Sequence, residues 1–264
     1  MDVILIGYGR MGREIERVLV DRGHRCVARV DPRADGADAR SLDEIQGAGG
    51  NAGGTPARKP ADCAIEFAHS EGVVDNARWY GAHGIPAVVG TTGWEAERES
   101  VRRIVEEAGS GYLWGANFSV GANLFFALVE AAGVLLHRFE DYDAMMLETH
   151  HRHKKDSPSG TALEAARRLL EVYRRKSDIV TDALQRPIEP HELHVASVRG
   201  GSVPGIHELT FDSPFDSITI RHSARTRAGF ALGSVLAAEW LAGRSGFFSV
   251  DDFFADRLKG QGEV

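Results

Sequence analysis

Apolar positions in the first 115 residues follow two alternating rhythms. Short unbroken runs, Val3 to Ile6, Cys26 to Val30, Cys63 to Phe67, Ala87 to Val89 and Tyr112 to Trp114, read as buried strands. Between them, Met11 to Arg22, Gly72 to His83 and Glu95 to Ala108 place apolar residues at helical spacing with charges on the opposite side. Strands alternating with helices predict right-handed crossovers and a parallel, doubly wound sheet. After Ala116 the rhythm changes. An apolar helix over Val120 to His137 leads into a strand, Tyr142 to Thr149, and a helix, Ala162 to Arg175. Three closely spaced strands follow, Leu193 to Val198, Ile206 to Phe211 and Ser217 to His222, which predict a mixed or antiparallel sheet. The last helical patterns, Phe230 to Ala242 and Val250 to Leu258, are apolar enough to pack on a sheet and are expected to return to the first domain. The predicted fold class is α/β: a Rossmann-type doubly wound sheet from residues 1–117 completed by 229–264, with an α+β domain of mixed sheet over 118–228. The glycine-rich stretch 47–56 neither follows a strand nor opens a helix, and reads as a flexible loop.

Composition narrows the function classes. The chain has 264 residues, 43% of them hydrophobic, which is enough to bury a core in two domains. With 38 acidic against 31 basic side chains and a net charge of −7, non-specific binding to nucleic acid or to an anionic membrane is disfavoured. Cys26 and Cys63 sit inside apolar runs, as small core residues in a reducing compartment. The opening Met1 to Ile6 looks like a strand and not a signal peptide, so a cytoplasmic location is expected. Val120 to Phe139 contains Asn123 and Glu130, and reads as a buried helix in preference to a membrane span.

Candidate chemistry begins at Gly7-Tyr8-Gly9-Arg10-Met11-Gly12, directly after the first strand and opening the first helix. Its glycines allow a tight turn and close approach of a pyrophosphate, and the helix N-terminus offers free amides. Asp31 ends the second strand about 20 residues later, where the dinucleotide fingerprint places an acid for the ribose hydroxyls. That acid would repel a 2′-phosphate, with Arg33 as a counterweight, so NADH is expected to serve at least as well as NADPH. Two further strand-end loops belong to the cofactor edge of such a sheet: Gly90-Thr91-Thr92-Gly93 and Gly115-Ala116-Asn117-Phe118-Ser119.

The densest polar segment runs Glu148-Thr-His150-His151-Arg152-His153-Lys154-Lys155-Asp-Ser-Pro158-Ser159-Gly160-Thr161. Cations and histidines concentrated on an acidic protein predict an anionic ligand. Ser159, Gly160 and Thr161 precede a helix, so hydroxyls and free amides could hold a carboxylate or phosphate. A metal is disfavoured: on a continuing strand His150 and His151 point to opposite faces, and the neighbouring cations would repel a dication. Acid–base work suits the segment better.

These motifs resemble the dihydrodipicolinate reductase family. The matching pieces are the Gly7 to Gly12 turn, Gly90 to Gly93, Ala116-Asn-Phe-Ser-Val-Gly121, the His150 to Thr161 signature, Arg199-Gly-Gly with Gly205-Ile-His207, and Arg221-His-Ser-Ala-Arg-Thr-Arg227. The resemblance implies reduction of 4-hydroxy-tetrahydrodipicolinate, a small cyclic dicarboxylate, by NADH and/or NADPH on the diaminopimelate route to lysine. It also implies a homotetramer built through the second domain. By position, His150 corresponds to the family's proton donor or acceptor and Lys154 to its proton donor. His151, Ser159, Gly160 and Thr161 correspond to substrate contacts, with Arg227 assisting. Gly7 to Gly12, Asp31, Gly90, Thr91, Thr92 and Ala116 to Ser119 correspond to cofactor contacts. Where family members usually carry Asp-Phe-Thr, this chain has Glu66-Phe67-Ala68, and no arginine directly follows Asp31. A non-catalytic NAD(H)-binding sensor and a related amino-acid dehydrogenase are the competing readings; retention of both His150 and Lys154 counts against the sensor.

Overall fold

Val3, Ile4 and Leu5 are fully buried and Ile6 nearly so, as a strand covered on both faces requires. The computed structural model describes residues 1–45 and 60–259, so the glycine-rich stretch 47–56 lies outside the described residues. The chain divides into two compact units, 1–119 with 227–264, and 120–226.

The first unit holds a six-stranded, all-parallel sheet in the order β11-β5-β4-β3-β1-β2. Its strands are β1 (Asp2–Ile6), β2 (Arg25–Val30), β3 (Cys63–Glu66), β4 (Ala87–Val89), β5 (Gly111–Trp114) and β11 (Gly246–Ser249). The helices are α1 (Arg10–Asp21), α2 (Val73–His83), α3 (Arg98–Ala108), α6 (Ala228–Leu241) and α7 (Val250–Lys259). Gly12, Ile15 and Leu19 form the buried stripe of α1, the helical spacing legible in the sequence. From β1 the chain steps to β2 on one side and then resumes with β3 on the other. Right-handed crossovers therefore put α1 on one face and α2 and α3 on the opposite one. The order reverses between β1 and β3, and the crevice outside their carboxyl ends is where a doubly wound sheet takes its ligand. The chain does return after the second unit: α6 packs on α1, β3, β4 and β5, and β11 extends the sheet beside β5.

The second unit is a five-stranded mixed sheet, β10-β9-β6-β8-β7, with two helices. Its elements are α4 (Val120–Leu136), β6 (Asp143–His150), α5 (Gly160–Val172), β7 (Asp178–Val180), β8 (Glu192–Arg199), β9 (Ile206–Asp212) and β10 (Ser217–Ser223). Along β6 the buried positions are Ala144, Met146, Glu148 and His150, the set that shares a face with a period of two. Their neighbours Leu193, Val195, Leu209 and Phe211 are fully buried in the same cluster as residues of α4 and α5. The alternate face carries Met145, Leu147 and Val198 with 50%, 38% and 48% of their surfaces exposed. The strands β7 and β11 were not anticipated, because three or four residues are too short to show a period. Helix α5 starts two residues earlier than its apolar pattern because the Ser159 hydroxyl caps it, accepting from the Ala162 amide.

Candidate active site

In the first unit, the glycine turn after β1 is shaped by backbone crowding. Gly7 has φ +87°, and a Cβ there would lie 2.1 Å from the Phe67 carbonyl oxygen; one on Gly12 would lie 2.2 Å from the Gly7 carbonyl oxygen. Gly9, the N-cap of α1, is exposed, and a Cβ there would meet nothing within 4 Å. The turn is thus closed toward the protein and open above the helix N-terminus, which fits a pyrophosphate. A cleft of about 690 Å³ runs from Gly7 and Gly9 past Asp31, Arg33 and Arg40 to His69 and Asn76. Asp31 accepts the Tyr8 amide on one oxygen and the Arg33 and Ala34 amides on the other, each at 2.8 Å. Burial pushes its carboxyl up, but those three amides outweigh burial and hold it below its usual range. Arg40 donates to the Asp31 and Ala34 carbonyls, which puts a second cation beside the acid. The residues present therefore fit a nicotinamide dinucleotide.

Not every residue of the cofactor motifs turns its side chain outward. Tyr8 is buried; its hydroxyl donates to Glu16 and its ring lies under the Arg13 and Arg29 guanidinium groups. Phe118 is 1% exposed and packs edge-on against Phe67, with ring centroids 5.9 Å apart. Only the backbone of these two is left for a ligand. Arg10, Thr92 and Ala116 are exposed, Met11 and Asn117 half-buried, and Ser119 is buried. The Asn117 side chain accepts the Ser119 amide. Thr91 is buried, its hydroxyl accepting from the Ala68 amide and donating to Glu66. Gly90 lies against the Phe67 ring, where a Cβ would come within 2.2 Å. Glu66 itself has no exposed surface; it accepts from the Tyr80 hydroxyl at 2.7 Å, and burial pushes its carboxyl up to about 7.

In the second unit the polar positions on the covered face of β6 find one another through strand register. Glu148 lies opposite His207 of β9, His207 opposite His222 of β10, and His150 beside Arg199 of β8. Glu148, 1% exposed, is hydrogen-bonded to His150 Nδ1 through one oxygen; the other accepts from Arg199 at 2.6 Å and from the Ser159 amide at 3.3 Å. Burial would raise the Glu148 carboxyl, yet Arg199 and His150 bring it below its usual range, so it stays ionised. The imidazoles move the other way. Burial lowers His150 against the pull of Glu148, burial lowers His222, and burial together with its two histidine neighbours pushes His207 down to about 4. All three shifts favour the neutral ring.

Donor atoms of Glu148, His150 and His207 lie within 4.8 Å of one another, the spacing of a metal triad. They are already engaged: Glu148 with His150 and Arg199, and His207 Nε2 with the Ser159 hydroxyl at 3.1 Å. The Arg199 guanidinium would oppose a cation at that point. These donors read as a hydrogen-bonded network.

The loop after β6 carries the cations. His151 leaves the strand, its amide bonded to the Val203 carbonyl and its ring 6.3 Å from that of His153. Lys154 Nζ pairs with Asp156 at 2.8 Å, and that pair holds the Asp156 carboxyl below its usual range. Gly160 begins α5 with open space where a side chain would be, and Thr161 is half-buried in its first turn. Ser159 differs from expectation: its hydroxyl, 2% exposed, is spent on capping α5 and on His207. Arg227 is exposed and belongs to the first unit, at the N-cap of α6. Arg199 and His207 stood within the matched motifs and Glu148 opened the polar segment, but none of them carried an expected role; the signal available was two polar residues, Glu148 and His150, on the buried parity of a strand.

A parallel doubly wound sheet with this glycine turn and acid-tipped second strand, joined to a unit that gathers a lysine and histidines at a helix N-terminus, defines a nicotinamide-dependent oxidoreductase. Models of the two halves of dihydrodipicolinate reductase match, the N-terminus over residues 1–118 and the C-terminus over 121–254. The chain belongs to the dihydrodipicolinate reductase family. It is 34% identical over 259 residues to the 4-hydroxy-tetrahydrodipicolinate reductase of Christiangramia forsetii, covering 98% of this chain and 100% of that one. To the enzyme of the same name from Archaeoglobus fulgidus it is 35% identical, covering 93% and 96%. A dipicolinate-bound dihydrodipicolinate reductase from a Paenisporosarcina species shares the fold, with a TM-score of 0.71 at 20% identity, covering 94% of this chain and 97% of that one.

Proposed function

We propose that this chain reduces 4-hydroxy-tetrahydrodipicolinate to tetrahydrodipicolinate with NADH or NADPH, in the diaminopimelate route to lysine. The observation that carries the reading is family membership along nearly the whole chain. When bound, the reduced nicotinamide supplies a hydride. Gly7 to Gly12 would seat its pyrophosphate, Asp31 its adenosine ribose, and the loops at 90–92 and 116–119 the remainder.

Lys154 is the proton donor of this reading, since an ammonium carries a proton at neutral pH and its Asp156 partner holds it in place. His151, Gly160 and Thr161 would hold the carboxylates, Gly160 leaving room beside the N-terminus of α5 and Thr161 offering its amide there. His150 is held at the end of β6 by Glu148. A doubly negative ring explains why an acidic protein concentrates cations between His150 and Lys155. The uncovered face of the second sheet, with Met145, Leu147 and Val198 exposed, supports assembly into a homotetramer through that face. A cytoplasmic location accords with a biosynthetic enzyme that draws on NAD(P)H.

The test is oxidation of NADH and NADPH coupled to freshly generated dihydrodipicolinate. Turnover is expected with at least one cofactor. Measurable NADH binding without turnover of either would overturn the reading in favour of a sensor.

A further inference from the structure

The arrangement around His150 contains more than a catalytic candidate at a strand end. Glu148 is buried, and an ionised carboxylate can only accept hydrogen bonds. One of its oxygens is taken by two donors that cannot reverse, the Arg199 guanidinium and the Ser159 amide. The other meets His150 Nδ1, so the proton between them belongs to the imidazole. At the opposite edge of the ring stands Gly205, where a Cβ would come within 2.8 Å of Nε2. The ring is further fixed by His207, 5.1 Å away and itself tied to the cap of α5 through Ser159.

We propose that Glu148, clamped by Arg199 and the Ser159 amide, is a positioning residue that holds neutral His150 in the Nδ1–H tautomer and leaves Nε2 as a hydrogen-bond acceptor. This rests on the assignment of His150 and Lys154 to the reductase site, and it divides their labour. A neutral ring protonated at Nδ1 has no proton to give from Nε2, so Lys154 delivers the proton and His150 receives a hydrogen bond that orients the donor or the substrate.

Long-range nitrogen–proton NMR on uniformly nitrogen-15-labelled histidine in the intact wild-type protein reads the tautomer without reference to activity. His150 is expected to show a protonated Nδ1 and an unprotonated Nε2 at neutral pH; the reverse pattern overturns the proposal. Glu148→Gln supplies the second test. Arg199 and the Ser159 amide, both donors, select the glutamine carbonyl, which turns its amide NH2 toward Nδ1 and forces the ring into the Nε2–H form. The variant is expected to show that reversed spectrum, a kcat lower by roughly a hundredfold, and a KM for NADH unchanged. A ring that keeps its Nδ1 proton in the Glu148→Gln variant, or a reversed ring with wild-type kcat, overturns it. A wild type with the expected tautomer but no turnover of dihydrodipicolinate would unseat the functional reading while supporting the tautomer assignment.

Discussion

Replacing Glu66 by glutamine removes a single titration whose size follows from where the residue lies. Glu66 ends β3 beneath the Ala68 and Thr91 loops, with no exposed surface, and burial pushes its carboxyl up to about 7 from an ordinary 4.5. In the interval between those values the folded protein keeps a proton that the unfolded chain has released. Stability from this group is therefore complete below the unfolded value and is lost as pH rises through the folded one, by about 3 kcal/mol in all. Most of that, about 2 to 3 kcal/mol, falls between pH 5 and pH 8. Asp31 and Glu148, whose carboxyls lie below their usual range, act in the opposite sense: they add stability above the unfolded carboxylate range, lost as pH falls through their folded values. Comparing wild type with Glu66→Gln cancels those contributions. Urea unfolding of both proteins at several pH values across that interval should show the wild type losing about 2 to 3 kcal/mol more than the variant on going alkaline. In thermal melts this is roughly 5 to 10 °C. Parallel pH curves for the two proteins would refute the assignment of this proton to Glu66.

Four further outcomes are expected. Lys154→Ala should lower kcat by roughly a hundredfold or more with little change in the KM for NADH, and a variant that keeps most of its turnover removes Lys154 from proton delivery. Asp31→Ala takes away a ribose acceptor and leaves Arg33 and Arg40 in place, so steady-state kcat/KM should shift toward NADPH by about tenfold, about 1.4 kcal/mol; an unaltered ratio counts against the ribose contact. Gly205→Ala puts a methyl within 2.8 Å of His150 Nε2 and should depress kcat while NADH titrations stay unchanged, and wild-type kcat would show that Nε2 is not used. Leu147→Asp places a charge on the uncovered face of β6 and should reduce the proposed tetramer to smaller species in sedimentation velocity; a variant that sediments like the wild type means that the face serves no contact between subunits.

Much of the architecture was legible from periodicity. Strands β1, β2, β3, β4 and β5 were visible as runs, and the stripe Gly12, Ile15 and Leu19 as a helix face, because each is a local property of consecutive residues. The glycine turn and Asp31 were legible for the same reason: the fingerprint lies within one strand–helix–strand unit. Phe118 shows the limit of motif reading, since a residue inside a cofactor loop can turn its ring into the core against Phe67. Ser159 shows it again, with a hydroxyl that completes a helix end instead of facing a ligand.

For β6 the alternation could be counted in the sequence, but both of its faces carry apolar residues, Met146 on one and Met145 and Leu147 on the other. Which face α4 and α5 cover decided that Glu148 and His150 are buried. Register then decided their partners, bringing His207 from 59 residues away opposite Glu148, and Arg199 beside His150. The sequence by itself determined the elements, the nucleotide turn and the stock of acids, bases and cations. Only the tertiary structure decided which of them are hydrogen-bonded to one another, because register depends on how the patterned faces of several strands and their turns fit together, which the period of one strand does not fix.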